Sequence, residues 1–164
     1  MIQVTTSTVN GTPWYAYLST EDNRIDTSVA STQIRHLVKF INDMDGSVQY
    51  AYGSAETIYD RYTKFTFLYS AVPDIYEGKT KLIPSGYYKY EVYEVSWGVG
   101  IVTVSSGHAP ATETDVLPIT ILNGVVKGLV TKGKLNLTDK DGTAQVQYTQ
   151  REAPDSQNYI YYGQ

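Results

Sequence analysis

The sequence predicts an all-β protein, an antiparallel β-sandwich with a β-rich C-terminal extension or arm. About ten to twelve short apolar segments recur at roughly 8–12-residue spacing, with turn residues between them. The chain contains 16 Tyr and only 3 Phe, and Tyr suits both half-buried sheet faces and contact surfaces. The length of 164 residues fits one domain, or one domain with an appendage.

The strongest strand pattern lies at residues 86–95, which read Gly-Tyr-Tyr-Lys-Tyr-Glu-Val-Tyr-Glu-Val. Alternation along a strand places Tyr88 and Val92 on one face, and Tyr93 and Val95 on the other. Because both faces carry apolar side chains, we expect this strand to lie centrally in a sheet and to be covered on both sides.

The other strands follow from the same alternation or from β-branched runs. They are predicted at residues 2–8, 14–18, 34–41, 48–52, 61–70, 101–104 and 144–148, with further short Val/Leu/Thr segments between 119 and 137. A helix over 27–40 is the alternative for the third of them. The strand at 34–41 is favoured because Ser31 and Thr32 are poor helix formers. Gly133 is predicted to be a hairpin turn.

The composition changes after residue 106, which predicts two regions. Residues 1–106 form the sandwich core, and residues 107–164 form a β-rich segment that either completes the core or contacts a partner. Residues 105–115 show no periodicity and are predicted to be a linker or exposed loop. We expect the contacts that matter for function in this second region, and we predict an interface at the tail tyrosines Tyr159, Tyr161 and Tyr162.

Charge and cysteine content exclude several classes of function. The net charge is −4, so the chain lacks the basic patch expected of a protein that binds nucleic acid or an anionic membrane. It has no Cys, which excludes disulfides, thiolate metal sites and Cys nucleophiles. No signal-peptide pattern or membrane-length apolar run is present. The expectation is a soluble protein made in a cytoplasm.

The acidic motifs do not predict a metal or catalytic site. Asp43-x-Asp45-Gly46 and Asp139-x-Asp141-Gly142 resemble the start of a calcium loop. However, their Gly comes two residues early and no Glu stands at position twelve, so both are predicted to be ordinary turns.

The candidate catalytic side chains do not predict an active site either. His36 and His108 have no partner at metal-ligand spacing and no triad around them. Glu91 and Glu94 have opposite parity on the central strand, so they cannot form the acid pair of a glycosidase. We therefore predict no catalytic, cofactor-binding or metal-binding residue and no cofactor.

Two further phrases are typical of sandwich folds. Residues 97–106, Trp-Gly-Val-Gly-Ile-Val-Thr-Val-Ser-Ser, resemble the last strand of an antibody heavy-chain variable domain, and residues 84–88 are similar to a tyrosine corner. The immunoglobulin cysteine pair is absent, and some sixty residues follow the antibody-like phrase. The two phrases support a sandwich of immunoglobulin-like or jelly-roll-like type and carry no implication of an immune function.

Several phrases together resemble a family of tailed-bacteriophage virion proteins over roughly residues 35–164. They are residues 61–67 (Arg-Tyr-Thr-Lys-Phe-Thr-Phe), 86–95, 128–133 (Gly-Leu-Val-Thr-Lys-Gly), 141–150 and the Tyr-rich end at 158–164. The resemblance implies an auxiliary or head-decoration component of the particle. It brings no catalytic residues with it.

The sequence thus predicts a non-enzymatic virion structural protein, assembled in the host cytoplasm, that binds and reinforces the capsid in many copies. Its expected partners are the major capsid protein or other virion proteins and further copies of itself, with no nucleic acid or membrane. The alternative is a carbohydrate- or receptor-binding module of a phage head or tail fibre, since Tyr and Trp stack on sugars. A hydrolase is a third, less favoured interpretation.

Overall fold

The computed structural model describes residues 1–5, 7–98 and 101–139. Over these residues the protein is all-β, with nine strands and two single-turn 3-10 helices at Glu21–Asn23 and Ser31–Gln33. The strands are β1 (Ile2–Thr5), β2 (Pro13–Leu18), β3 (Ile34–Asn42), β4 (Val48–Tyr52), β5 (Ala55–Ile58), β6 (Thr63–Tyr69), β7 (Lys79–Thr80), β8 (Gly86–Ser96) and β9 (Val125–Thr138).

The strands form two sheets. The larger sheet has the order β1-β9-β8-β3-β4, and the smaller has the order β2-β6-β5 with β7 also paired to β6. Neighbouring strands are antiparallel except β1 with β9 and β6 with β7, which are parallel. In the described part of the chain, β1 and β2 are therefore the edge strands on one side of the molecule.

The main core lies between the two sheets. The larger sheet contributes Phe40, Val92 and Leu135, and the smaller contributes Phe65 and Phe67; these side chains are fully buried or nearly so. Alternation along each strand turns these residues inward, as expected for a sheet with one face on a core. Two sheets packed around one shared core are what the predicted sandwich requires.

Buried polar contacts join the two sheets and fix the connection between β2 and β3. His36 on β3 approaches Glu56 on β5, with 2.9 Å between its Nδ1 and Glu56 Oε2, and its backbone N–H donates to Glu56 Oε1. Glu94 on β8 is fully buried, and its two oxygens accept the backbone N–H groups of Ile25 and Asp26 at 2.9 and 2.7 Å. Both carboxylates act as structural acceptors.

The strand predicted at residues 86–95 is β8, and it lies centrally in the larger sheet, with β3 on one side and β9 on the other. Coverage on both faces holds only towards its end. Tyr88 and Val92 face the main core, and Val95 is buried on the opposite face in a second cluster with Trp97. Tyr87, near the start of the strand, is exposed. The second face is therefore covered over about half of the strand.

The strand prediction at 34–41 is confirmed, and the alternative helix is wrong. The strand predicted at 101–104 is not formed, because β9 already occupies the edge of β8 to which it would pair. The hairpin turn at Gly133 is also wrong. Gly133 lies inside the 14-residue strand β9, where the Tyr90 side chain fills the space a Cβ would need. Strand β5 carries no clear alternation and was missed by the pattern.

One predicted turn and the tyrosine-corner phrase can be compared with the structure. Asp43-x-Asp45-Gly46 lies in the turn between β3 and β4, where Gly46 has φ +71° and Asp45 Oδ1 accepts the Ser47 backbone N–H. The Tyr88 hydroxyl donates to the Pro84 carbonyl at 2.7 Å, the bond expected of a tyrosine corner. Of the second acidic motif, Asp141 and Gly142 lie outside the described residues.

The region predicted to begin at residue 107 supplies β9, which lies inside the larger sheet between β1 and β8. The division at residue 106 stays a prediction, because residues 140–164 lie outside the described residues.

Candidate interaction site

The connection from β8 to β9 packs on the outer face of the larger sheet. The second cluster at this place contains Leu37, Tyr52, Val95, Trp97 and Ala109. The buried Tyr52 hydroxyl donates to the Pro110 carbonyl at 2.8 Å, and burial raises the pKa of this phenol well above its ordinary value. The connection is thus anchored on the sheet although its described residues form no strand.

Beyond this anchor, residues 116–122, which we call the display loop, present aliphatic side chains to solvent. The exposed fraction is 93% for Val116, 95% for Ile119, 68% for Ile121 and 46% for Leu122. Single exposed aliphatic residues are common on protein surfaces, whereas a contiguous group of them marks an interaction site. The display loop is therefore the first candidate contact surface.

The base of the display loop is held by buried polar contacts. The Asn123 amide donates to the Pro118 carbonyl at 2.8 Å, and its Oδ1 lies 2.9 Å from His108 Nδ1. The Trp97 indole N–H donates to the Leu122 carbonyl at 3.1 Å. Gly124 lies against Trp97 so closely that a Cβ there would meet the indole ring at 2.6 Å. These contacts hold the loop in an outward position.

A partly buried charged network ties the same connection to β3, β4 and β8. Lys39 Nζ lies 2.5 Å from Glu113 Oε1 and 3.8 Å from Glu91 Oε2. The Tyr50 hydroxyl donates to Glu113 Oε2 at 2.5 Å, and the Tyr93 hydroxyl donates to Glu91 Oε2 at 2.8 Å. A single lysine thus lies between two carboxylates, each of which also accepts a phenol.

The electrostatics of this network favour its charged and hydrogen-bonded form. The hydrogen bond with Glu113 raises the pKa of Lys39 above its ordinary value. Burial would raise the pKa of Glu113, but the hydrogen bonds from Lys39 and Tyr50 outweigh it and hold that pKa below the ordinary value. Burial, followed by the hydrogen bond with Glu91, raises the pKa of Tyr93 to about 12. Near neutral pH the network therefore stays charged and hydrogen-bonded, and it holds Glu113 of the connection against the larger sheet.

At the other end of the molecule, a groove opens between the edge strands β1 and β2. We call it the β1–β2 groove; its deeper part has a volume of about 240 Å³. Val4, Trp14, Leu82 and Leu137 supply its apolar lining, and Thr and Ser hydroxyl groups surround them. A shallower part of about 610 Å³ continues along β2. Among the described residues, Asp139 is the one charged residue that lines either part.

Strand β2 also presents tyrosines on the outer face of the smaller sheet. Tyr15 and Tyr17 are exposed there, together with Tyr59 and Tyr62 from the turn between β5 and β6. Ring centroids are 5.5 Å apart for Tyr17 and Tyr62, and 4.9 Å apart for Tyr59 and Tyr62. Lys64 Nζ lies 4.1 Å from the centroid of the Tyr15 ring. We call these four tyrosines the tyrosine face.

Within the described ranges, no group of three or more His, Asp or Glu side chains is placed to hold a metal ion. His36 pairs with Glu56 inside the molecule, and His108 supports Asn123. Glu91 and Glu94 lie on opposite faces of β8, as their parity predicted, since Glu94 is buried towards Ile25 while Glu91 joins the Lys39 network. The geometry of these residues is that of structural contacts.

The structure adds sites that the sequence pattern missed. The predicted interface residues Tyr159, Tyr161 and Tyr162 lie outside the described residues. The display loop falls in the region after Ser105 where contacts were expected, but its residues 119–122 were interpreted as a strand segment. The β1–β2 groove combines residues distant in sequence, so no local pattern could reveal it. The tyrosine face was signalled only by the high Tyr content.

Comparison with protein-family models, with curated proteins and with solved structures found no match in any of the three. Across residues 1–5, 7–98 and 101–139, no helix has the length and apolar character needed to cross a membrane.

Proposed function

We propose that the protein is a non-enzymatic structural component of a tailed-phage particle, which binds and reinforces the capsid as a head auxiliary or decoration protein. The observation that carries a contact role is the display loop, where aliphatic side chains are exposed and their supporting backbone is hydrogen-bonded. The phage context is supported by the sequence phrases that resemble virion proteins.

We further propose that the sandwich is of immunoglobulin-like type. The order β2-β6-β5 corresponds to strands B, E and D of that fold, and β3, β8 and β9 correspond to strands C, F and G. The Tyr88–Pro84 hydrogen bond stands where the tyrosine corner of the fold is found. In this correspondence the display loop belongs to the F–G connection, which is a binding loop in variable domains.

Binding through such a surface suits a protein present in many copies. An exposed aliphatic loop gives a modest contact for each copy, and repeated contacts on one lattice raise the overall affinity through avidity. The expected partners are the major capsid protein or other virion proteins, in the virion and in the host cytoplasm where particles assemble.

The test is mass spectrometry of density-purified particles from the phage whose genome carries this sequence. The protein should be present in a fixed, multicopy ratio to the major capsid protein, and Ile119→Asp should lower that ratio. Val72→Asp is the matched control, since Val72 is also a strongly exposed aliphatic residue and lies on a different loop. Absence of the wild-type protein from purified particles contradicts the proposal.

The tail tyrosines Tyr159, Tyr161 and Tyr162 stay a predicted interface on the core or on a partner subunit. Replacing all three with Ser in the full chain should lower the melting temperature or the particle ratio. Unchanged melting and unchanged incorporation exclude that role.

A carbohydrate- or receptor-binding module is the second candidate, and the tyrosine face supports it. Exposed aromatic rings stack on sugar rings, and Tyr17 and Tyr62 lie together on a sheet surface. A glycan array distinguishes the two candidates. A binding module should show a reproducible sugar preference that Tyr17→Ala removes, whereas a decoration protein should show none.

A further inference from the structure

We propose that residues 144–148 of the same chain bind in the β1–β2 groove as an added strand, paired with the free edge of β2. This segment reads Ala-Gln-Val-Gln-Tyr, has the pattern of a strand, and lies outside the described residues. The inference goes beyond the proposed function, because it concerns how each copy closes the open side of its own sandwich.

Strand β2 has an edge with no ladder partner among the described residues. Its other edge pairs with β6, where the Tyr69 backbone N–H donates to the Thr12 carbonyl at 2.8 Å. Every second residue of an antiparallel strand bonds to the same neighbour, so Trp14 continues this ladder. The backbone groups of Tyr15 and Tyr17 therefore point away from β6, at the strand edge that borders the groove.

The described chain arrives at this groove when β9 ends. Asp139 lines the groove together with Pro13 and Trp14 from the start of β2. Residues 140–143 then lead to the segment, and they include the Asp-Gly pair at 141–142 that is predicted to form a turn. A chain that turns back at this point runs along β2 from its start, in the same direction as β2.

Other strand edges are occupied or too distant. Both edges of β9 are paired, one with β1 and one with β8, so the segment cannot form a hairpin with β9. The outer edges of β4 and β5 are on the far sides of their sheets. A strand added to β4 would lie four strand spacings, about 19 Å, from β9. The chain from Asp139 to Ala144 spans at most about 18 Å when fully extended, and a turn shortens that reach.

The length and side-chain pattern of the segment fit the edge of β2. The edge of β1 offers four residues, whereas β2 offers six. Alternation places Ala144, Val146 and Tyr148 on one side of the segment and two glutamines on the other. The first side faces the apolar lining of the groove, and the glutamines face solvent. Residues 158–164 carry Tyr or Ile on both sides of an extended chain, so they lack this one-sided pattern.

A contact within one chain does not need a large interface. Separate molecules must bury on the order of 1,000 Å² or more to form a specific contact. A segment joined to its site by a short connection has an effective concentration of about millimolar, so a small apolar groove and one strand edge suffice. Main-chain hydrogen bonds supply affinity in such strand additions, and the pocket for alternate side chains supplies the register.

The first experiment tests the two sides of the segment in the full chain. Hydrogen exchange of the Tyr15 and Tyr17 amides is measured by NMR. Both should be protected in wild type, and Val146→Asp should lower their protection about tenfold or more, because it places a charge against an apolar lining. Gln147→Asp is the matched control and should keep the protection of wild type. Unprotected amides in wild type, or the same protection in both variants, overturn the proposal.

The second experiment uses the absence of Cys in the chain. Gln147→Cys is combined with Tyr15→Cys, and the dilute double variant is treated with a short bis-maleimide cross-linker. The control pair is Gln147→Cys with Tyr87→Cys, since Tyr87 is exposed and pairs with Asn136 near the end of β9. The first pair should give an intramolecular cross-link in at least about tenfold excess over the control. Equal yields, or a product that joins two chains, overturn the proposal.

The results separate this inference from the proposed function. A protein that is found in particles but fails both experiments keeps its structural role and loses the added strand. A protein that passes both experiments but is absent from purified particles keeps the added strand and loses the role in the particle.

Discussion

Gly124 offers the sharpest test of how the display loop is supported. A Cβ at this position would lie 2.6 and 2.8 Å from two atoms of the Trp97 ring and 2.8 Å from Val95 Cγ1. Both neighbours are completely buried, so neither can move into solvent to relieve the overlap. Overpacking of a core costs about 1–3 kcal/mol. Since all three contacts involve enclosed side chains, Gly124→Ala should lower the free energy of unfolding by about 3 kcal/mol, the upper end of that range.

The measurement is equilibrium denaturation followed by tryptophan fluorescence, which reports on Trp97 and on Trp14 packed against the main core. Gly98→Ala is the matched control, because a Cβ at Gly98 meets nothing within 4 Å; its stability should stay within about 0.5 kcal/mol of wild type. If Gly124→Ala unfolds at the same denaturant concentration and with the same slope as wild type, the support of the loop by tight packing on Trp97 is wrong.

Three further predictions concern the buried and half-buried polar groups. Glu94→Gln removes one of two charged acceptors for backbone amides and should cost about 1.5–3 kcal/mol of folding free energy in denaturant unfolding. Glu56→Ala leaves buried donors of His36 without their acceptor and should cost about 1–3 kcal/mol by the same assay. The folded-state pKa of Glu113 is lowered, so its contribution to stability is present above the ordinary value of 4.5 and is lost as the pH falls. The pKa of Tyr93 is raised from 10.0 to about 12, so its contribution is present below pH 10 and is lost as the pH rises towards 12; melting temperatures across pH should fall on both sides.

Matched controls keep these results specific. Glu77→Gln changes an exposed carboxylate and should leave stability within about 0.5 kcal/mol of wild type. Glu113→Gln should make the acid side of the pH profile shallower and leave the alkaline side in place. The part of the acid loss that comes from Asp26 and Asp115, whose pKa values are also lowered, should stay. Losses for Glu94→Gln or Glu56→Ala no larger than that of the Glu77 control contradict the assigned roles. An acid limb as deep in Glu113→Gln as in wild type contradicts the stabilising role of the Lys39–Glu113 contact.

The strands of the core could be predicted from the sequence because their patterns are local. The alternation in β3, β6 and β8 places Phe40, Phe65 and Val92 inward, and each of these strands was found. The pattern fails where two segments with strand propensity compete for the same strand edge. Residues 101–104 have strong strand propensity, but β9 takes the edge of β8 and leaves them without a ladder.

The candidate site was less accessible to prediction for a related reason. The aliphatic run at 119–122 has the composition of a buried strand, and only the anchoring of its base by Asn123 and Trp97 turns it outward. Similarly, His36 and Glu56 are twenty positions apart on different sheets, so no spacing rule could pair them. Gly133 was predicted to be a turn because the contact that requires a glycine there is with Tyr90 on the neighbouring strand. The local sequence does not reveal that contact.

The parallel pairing of β1 with β9 has a consequence for how the protein is made. Ile2 pairs with Leu135, so β1 leaves the ribosome long before its partner β9, which is the last described strand. Until β9 emerges, β1 has no ladder partner and one edge of β8 is open to other chains. Such long-range pairing slows folding and leaves unpaired strand edges, which are prone to aggregation, exposed during synthesis. Nascent chains stalled before residue 125 should therefore depend on chaperones far more than the released protein does.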